Sequence, residues 1–335
     1  MIKFRPIKPD ETIAVAIPTK NRPSYLAVLL TSLLGQTYTN WTILINDQSD
    51  IPVESDDTLK DLFTLIKKTG HDLKIIHTEN GWERHQSAME AVPDSIDLIL
   101  RIDDDMLPEP DFLRNVLKPF YYFQDAPLAA TGGLYPEPKM NPVDLDVNLT
   151  DSSWIPRFHE PTWKLQCHYY YNSPEILEVE SMSGGAICYR RGAIEDSGGW
   201  AINGYSAQAF REESDLSARL VEKGYTMMVT TEALAWHLIA PSGGARNMLK
   251  TDKGNFVVSD RSGIESDERL FQSRIKEIIE RKGLFSRELM RYKISDLEKN
   301  EYRGFPLVTL KGKILKSIER KFLRKLRRLY FYFQR

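Results

Sequence analysis

The sequence predicts an α/β fold, a mixed and mainly parallel sheet flanked by helices. Three observations carry this. Apolar runs of strand length alternate with stretches of helix length through about the first 120 residues. The runs are continuous rather than alternating, as in strands buried on both faces. Polar clusters (Thr19-Lys20-Asn21, Asn46 to Asp50 and Asp103-Asp104-Asp105) follow three of these runs. Parallel strands joined by helical crossovers bring such clusters to one edge, where α/β sheets bind ligands.

The elements follow in order. Residues 12–17 are an apolar strand ending at Pro18, and residues 25–34 form a helix after Asn21-Arg22-Pro23-Ser24. Residues 41–45 are a second strand, 58–68 an amphipathic helix ended by Gly70, and 73–77 a third strand. A helix over 82–91 stops at Pro93, a fourth strand covers 96–102, and a helix spans 111–123. Residues 136–177 hold six prolines, Trp154, Trp163 and the run Tyr169-Tyr170-Tyr171. A connector that long in a compact domain is usually functional, and its aromatic rings suit the C–H faces of sugars. Residues 179–189 resume as strand around Ser183-Gly184-Gly185-Ala186, where glycines imply close approach of a ligand or another backbone. A helix over 212–223 and a strand over 225–230 come next, then Ala235-Trp236-His237, and a further helix covers 268–282.

Composition narrows the class. The chain has 335 residues, 41% hydrophobic and 27% charged, which excludes a wholly disordered or collagen-like protein. Two cysteines, Cys167 and Cys188, and no CxxC exclude a disulfide scaffold and a thiolate zinc site. The N-terminus lacks a secretory apolar core and no apolar run approaches the ~18 residues of a membrane span, so a cytoplasmic protein is expected. Neither GxGxxG nor GxxxxGK[ST] occurs, which argues against dinucleotide enzymes and P-loop kinases. The net charge of −2 is uneven: residues 311–335 hold ten Lys/Arg and one Glu.

The chemistry concentrates at Asp103-Asp104-Asp105. Three adjacent carboxylates after a strand repel one another unless a cation neutralises them. Hard oxygen ligands suit Mg²⁺ or Mn²⁺, which bind through one or two carboxylates together with substrate phosphates.

At this point the sequence resembles the family 2 glycosyltransferases, whose fold is GT-A. Asp103-Asp104-Asp105 followed by Pro108-Glu109-Pro110-Asp111-Phe112-Leu113 is similar to the family's metal motif. Ile17 to Arg22, then Leu33 and Gln36-Thr37-Tyr38, resemble its opening motif, and Ile45 to Ser49 its second nucleotide motif. Asn80-Gly81 with Arg84 resembles the base-contacting segment. Ser183 to Ala186 with Gly198-Gly199-Trp200 resembles the acceptor-side strand and turn, and Arg211 to Leu216 the acidic motif that supplies the base.

The resemblance implies transfer of a sugar, with inversion, from a nucleoside diphosphate donor, with UDP favoured. It implies a donor site of Pro18, Thr19, Asn21, Arg22, Asp47, Arg84, Asp103, Asp104 and Arg246. Asp47 would accept from a uracil-like ring N–H, and Arg246, after two glycines, would clamp the diphosphate. Asp105, His237 and Asp103 would hold Mn²⁺ or Mg²⁺. Glu213 is the implied base, with Glu212 the other candidate. Gly184, Gly185, Trp200 and Asp215 would meet the acceptor, a glycan or lipid-linked hydroxyl. The chain then divides into a GT-A domain over 1–250 (nucleotide-binding half 10–125, acceptor half 126–250), a helical linker or extension over 251–310, and a basic amphipathic helix over 311–335.

In that last segment Ile314, Ile318, Phe322, Leu326, Leu329 and Phe333 recur every three or four residues among basic ones. The pattern resembles a membrane-surface binder and points to an anionic membrane partner at the inner face, or to a second copy of the chain; a nucleic-acid partner is not expected. Two rival readings remain. A sugar-phosphate nucleotidyltransferase would show a glycine-rich loop after the first strand, where this chain has Pro18 to Arg22. A non-catalytic sugar-nucleotide binder would have no need of the metal and base candidates.

Overall fold

The structure, a computed structural model, describes residues 2–79, 81, 84–138, 164–167, 174–200, 204–244, 248–250, 256–258, 261–282, 288–300 and 304–306. In chain order the strands are β1 (Ile13–Thr19), β2 (Trp41–Asp47), β3 (Leu73–His77), β4 (Leu98–Ile102), β5 (Met106–Pro108), β6 (Leu128–Leu134), β7 (Glu175–Val179), β8 (Ala186–Arg190), β9 (Thr226–His237), β10 (Met248–Lys250), β11 (Phe256–Val258), β12 (Met290–Lys293) and β13 (Gly304–Pro306). The helices are α1 (Pro23–Leu34), α2 (Asp57–Lys68), α3 (Arg84–Ala91), α4 (Phe112–Tyr122), α5 (Lys164–Cys167), α6 (Arg191–Asp196), α7 (Glu212–Glu222), α8 (Ser262–Lys282) and α9 (Ile294–Glu298).

Eleven strands make one mixed sheet in the order β13-β12-β7-β9-β6-β8-β4-β1-β2-β3, with β5 paired to β9. Its parallel pairings are β3-β2-β1-β4, the strands read from the first hundred residues, and β6-β9. Side chains of a strand alternate between faces. Ile13, Val15 and Ile17 therefore enter one core with Leu26, Leu29, Leu30 and Leu33 of α1 and the buried faces of α2 and α4. Ala14 and Ala16 enter the other, with Ala88 and Met89 of α3, Ala193 and Ile194 of α6, and Leu216 and Leu220 of α7. Asp56 starts α2 by accepting a hydrogen bond from the Leu59 N–H, a side-chain N-cap.

Three local readings change. Pro18 does not end β1, which pairs with β2 through Thr19 opposite Asp47. The ladder to β4 stops at Ala16, so beyond it β1 is an edge on that side and tolerates a residue without a donor. Ser183-Gly184-Gly185 lie between β7 and β8 rather than inside a strand, with Gly185 at φ +128°. The strand expected over 225–230 runs on through Ala235-Trp236-His237 as the twelve-residue β9.

Residues beyond 250 also pack on the body. Phe271, Ile275 and Ile278 of α8 form a third apolar cluster with Ala218 of α7, and β12 joins the main sheet beside β7. Among the described residues, no helix is long and apolar enough to cross a membrane. Arg246, the basic segment 311–335 and most of the aromatic connector lie outside the described residues.

Candidate functional site

Parallel β1, β2 and β4 deliver their C-terminal residues to one edge. Thr19 of β1 donates from Oγ1 to Asp104 Oδ2 at 2.8 Å, joining the turn after β4 to the end of β1. A cleft of about 500 Å³ opens there. Its lining includes Pro18, Thr19, Arg22, Gln48, Arg84, Arg101 and the three aspartates, together with Gly184, the loop 208–211, Glu212, Glu213 and His237.

The acidic run is not three equivalent carboxylates. Asp103 lies 2.9 Å from Arg101. Asp104 is buried, and that burial pushes its carboxyl up to about 7 against the opposing pull of Arg22 and Thr19. Asp105 is buried too, but His237, Arg22 and the Ala240 N–H outweigh the desolvation and hold it down at about 2. His237 is correspondingly raised: burial opposes its charge, and Asp105 outweighs that cost. Asp105 Oδ1 and His237 Nε2 are 3.5 Å apart, while Arg22 Nη1 stands 3.0 Å from Asp104 and 3.3 Å from Asp105.

Asp105 and His237 together are a donor set that suits a divalent ion, with the remaining positions left to phosphate oxygens and water. Asp103 does not join them, because it turns to Arg101. Among the described residues the group of three whose ligand atoms lie within 4.8 Å of one another is Asp47, Glu54 and His77 instead.

Asp47 departs from its expected place. Its side chain is buried and its carboxylate accepts the Ser49 and Val53 N–H groups, both at 2.9 Å. It therefore shapes the turn after β2, and Gln48 lines the cleft in its stead. Asn21 is outside the cleft lining as well; its side-chain amide donates to Asp50 and its oxygen accepts the Asp50 N–H.

The two acids of the α7 start differ sharply. Glu212 is 6% exposed, pairs with Arg84 at 2.6 Å and lies 2.8 Å from His85 Nε2. Glu213 is 17% exposed and lies 3.1 Å from Arg101 Nη2. A Cβ at residue 184 would sit 2.6 Å from Glu213 Oε1, so glycine there makes room for that carboxylate. Arg101 is fully buried; desolvation disfavours its charge, but Asp103, Glu213 and Glu212 outweigh it and keep the guanidinium protonated. One cation thus ties the acidic run to Glu213.

The remaining acceptor candidates are structural. Trp200 is 2% exposed and packs edge-on against Tyr189. Asp215 pairs with Arg219 and Arg274 and accepts from Tyr205 Oη. Neither they nor Gly185 line the cleft. Sequence reading missed Arg101, although a charge inside the apolar strand Leu98-Ile99-Leu100-Arg101-Ile102 was a signal for it. It also missed His85, beside Arg84, and residues 208–210, which no motif marked.

The chain is similar to solved glycosyltransferase structures. S. aureus TarS 1-349 in complex with UDP-GlcNAc matches at 13% identity and a TM-score of 0.50, over 80% of this chain and 70% of that one. GalNAc-T7 with UDP, GalNAc and Mn²⁺ matches at 14% and 0.50, over 68% of this chain and 43% of the other. The longer S. aureus TarS structure matches at 14% and 0.46, over 69% of this chain, which spans 37% of the TarS chain. The likeness to the first two shows a shared fold. No curated protein matches the chain. The sequence description of Glycosyl transferase family 2 matches residues 14–196, more than half of the chain, from the second residue of β1 to the end of α6. The chain belongs to Glycosyl transferase family 2.

Proposed function

We propose that this protein transfers a sugar from a UDP-sugar, with inversion, to a hydroxyl of a glycan or lipid-linked acceptor in cell-surface polysaccharide synthesis. The observation that carries the reading is a single cleft lined by Asp105, His237 and the glycine-cradled Glu213. The solved relatives with UDP-GlcNAc, or with UDP, GalNAc and Mn²⁺, support a UDP-linked donor.

The residues divide the work. Asp105 and His237 would hold Mn²⁺ or Mg²⁺, which when bound offsets the charge developing on the leaving diphosphate. Arg22 and Lys20 face the same part of the cleft and supply fixed positive charge beside the phosphates. Glu213 takes the proton of the acceptor hydroxyl as its oxygen attacks the anomeric carbon. The bond from that carbon to the β-phosphate oxygen breaks, and UDP leaves on the opposite side. A base of this kind contributes ~10²–10⁴-fold. Glu212 is committed to Arg84 and positions the donor-side turn instead.

The basic segment 311–335 fits this reading, since a lipid-linked acceptor lies at a membrane and each basic residue near an anionic surface contributes ~1 kcal/mol. The test is turnover of UDP-sugars to UDP with Mn²⁺ and a mixture of lipid-linked and free glycans. Acceptor-dependent UDP release with inverted product configuration supports the reading. Retained configuration, or no release with any UDP-sugar, contradicts it.

A further inference from the structure

Helix α8 lies outside the family match, yet its first turns reach the cleft wall. Asp267 of α8 is fully buried, and both its oxygens are used by one loop. Oδ1 accepts the Ser206 N–H at 2.6 Å; Oδ2 accepts the Ser206 hydroxyl and the Phe210 N–H, each at 2.8 Å. Next along the helix, Glu268 pairs with Arg211 at 2.8 Å. A Cβ at Gly263 would stand 3.0 Å from Ser206 Oγ and 3.1 Å from Gln208, so the helix start and the loop are in close contact.

This loop costs energy to hold. Ala209 and Arg211 have φ of +47° and +73°, left-handed backbone that disfavours a side chain. The loop runs straight into α7, which begins at Glu212 without a side-chain cap at Arg211. The Phe210 N–H, two residues before Glu212, is instead held by Asp267. On its other side the loop abuts the donor half: a Cβ at Gly81 would lie 2.2 Å from the Ala207 carbonyl oxygen. Residues 208–211 line the cleft next to Glu212 and Glu213.

We propose that Asp267 is a positioning residue for the transfer site, fixing the loop 206–211 and through it the start of α7 that presents Glu213. This rests on the transferase reading above. The buried carboxylate holds the backbone that leads into α7 and offsets the two strained residues, so α8 completes the acceptor-side wall.

The experiment compares wild type, Asp267→Asn and the milder Ser206→Ala in the full chain, below each thermal midpoint. It measures UDP affinity with Mn²⁺, steady-state turnover of the UDP-sugar that best stabilises wild type, and amide exchange over 206–213. The expected result is UDP affinity within twofold and donor KM unchanged. With these, kcat falls tenfold or more in Asp267→Asn and severalfold in Ser206→Ala, and exchange speeds up over 206–213. Wild-type kcat and wild-type exchange in both variants would overturn the proposal, as would a lowered thermal midpoint with kcat intact, which marks a merely structural residue. Should Asp267→Asn not fold, Ser206→Ala decides. Should wild type neither bind nor turn over a UDP-sugar, the transferase reading falls, and the exchange measurement alone decides whether Asp267 orders the loop.

Discussion

Glu213 and Glu212 are adjacent in sequence and opposite in circumstance. Glu212 is locked by Arg84 and His85, whereas Glu213 keeps an open face beside the side-chain-free Gly184. Glu213→Gln is therefore expected to lower kcat by ~10²–10⁴-fold while leaving UDP affinity unchanged. Steady-state kinetics beside a UDP titration check this, and near wild-type turnover would move the base elsewhere. Much of this was legible in the residues: an acidic pair opening an amphipathic helix, and three aspartates ending a strand. What was not legible is which acid of each group is spent. Glu212 goes to Arg84, and Arg101 reaches Glu213 as well as its near neighbour Asp103, because α3 and β4 approach α7 across more than a hundred residues of chain. Local sequence does not encode the two long-range pairings.

At the scale of elements, continuous apolar runs named the strands of the parallel half within a few residues, because burial on both faces leaves a one-dimensional signature. The acceptor half was harder. β7 and β8 flank a glycine-bearing turn that reads as strand, and β9 runs past its apparent end because β5 pairs with its last residues. Asp47 shows the limit for a motif. Its position at the end of β2 was anticipated, but its carboxylate is consumed by the turn it begins. Removing an acceptor from two buried N–H groups costs about 1–3 kcal/mol. Asp47→Ala is therefore expected to lower the denaturant midpoint by that equivalent with the slope unchanged, and an unaltered midpoint would show that the turn holds itself.

For the whole molecule, the charge asymmetry remains the feature that sequence alone exposes. The other 310 residues hold 35 Lys/Arg against 46 Asp/Glu, and the ten basic residues of 311–335 are set among apolar ones at helical spacing. Deleting 311–335 is expected to abolish sedimentation with vesicles containing anionic lipid and to leave UDP-sugar turnover on a soluble acceptor intact. Equal sedimentation of both forms would remove the membrane from the account.

The proposed transfer rests on a nucleotide site that a divalent ion at Asp105 and His237 would complete. Thermal unfolding of wild type and Asp105→Ala, with UDP in the presence and absence of Mn²⁺, tests it most directly. At UDP about 100 times its dissociation constant, ~2.7 kcal/mol of stabilisation is expected in wild type with Mn²⁺, with loss of the Mn²⁺-dependent part in Asp105→Ala. No UDP-dependent shift in wild type, or a Mn²⁺-dependent shift that survives Asp105→Ala, would contradict it.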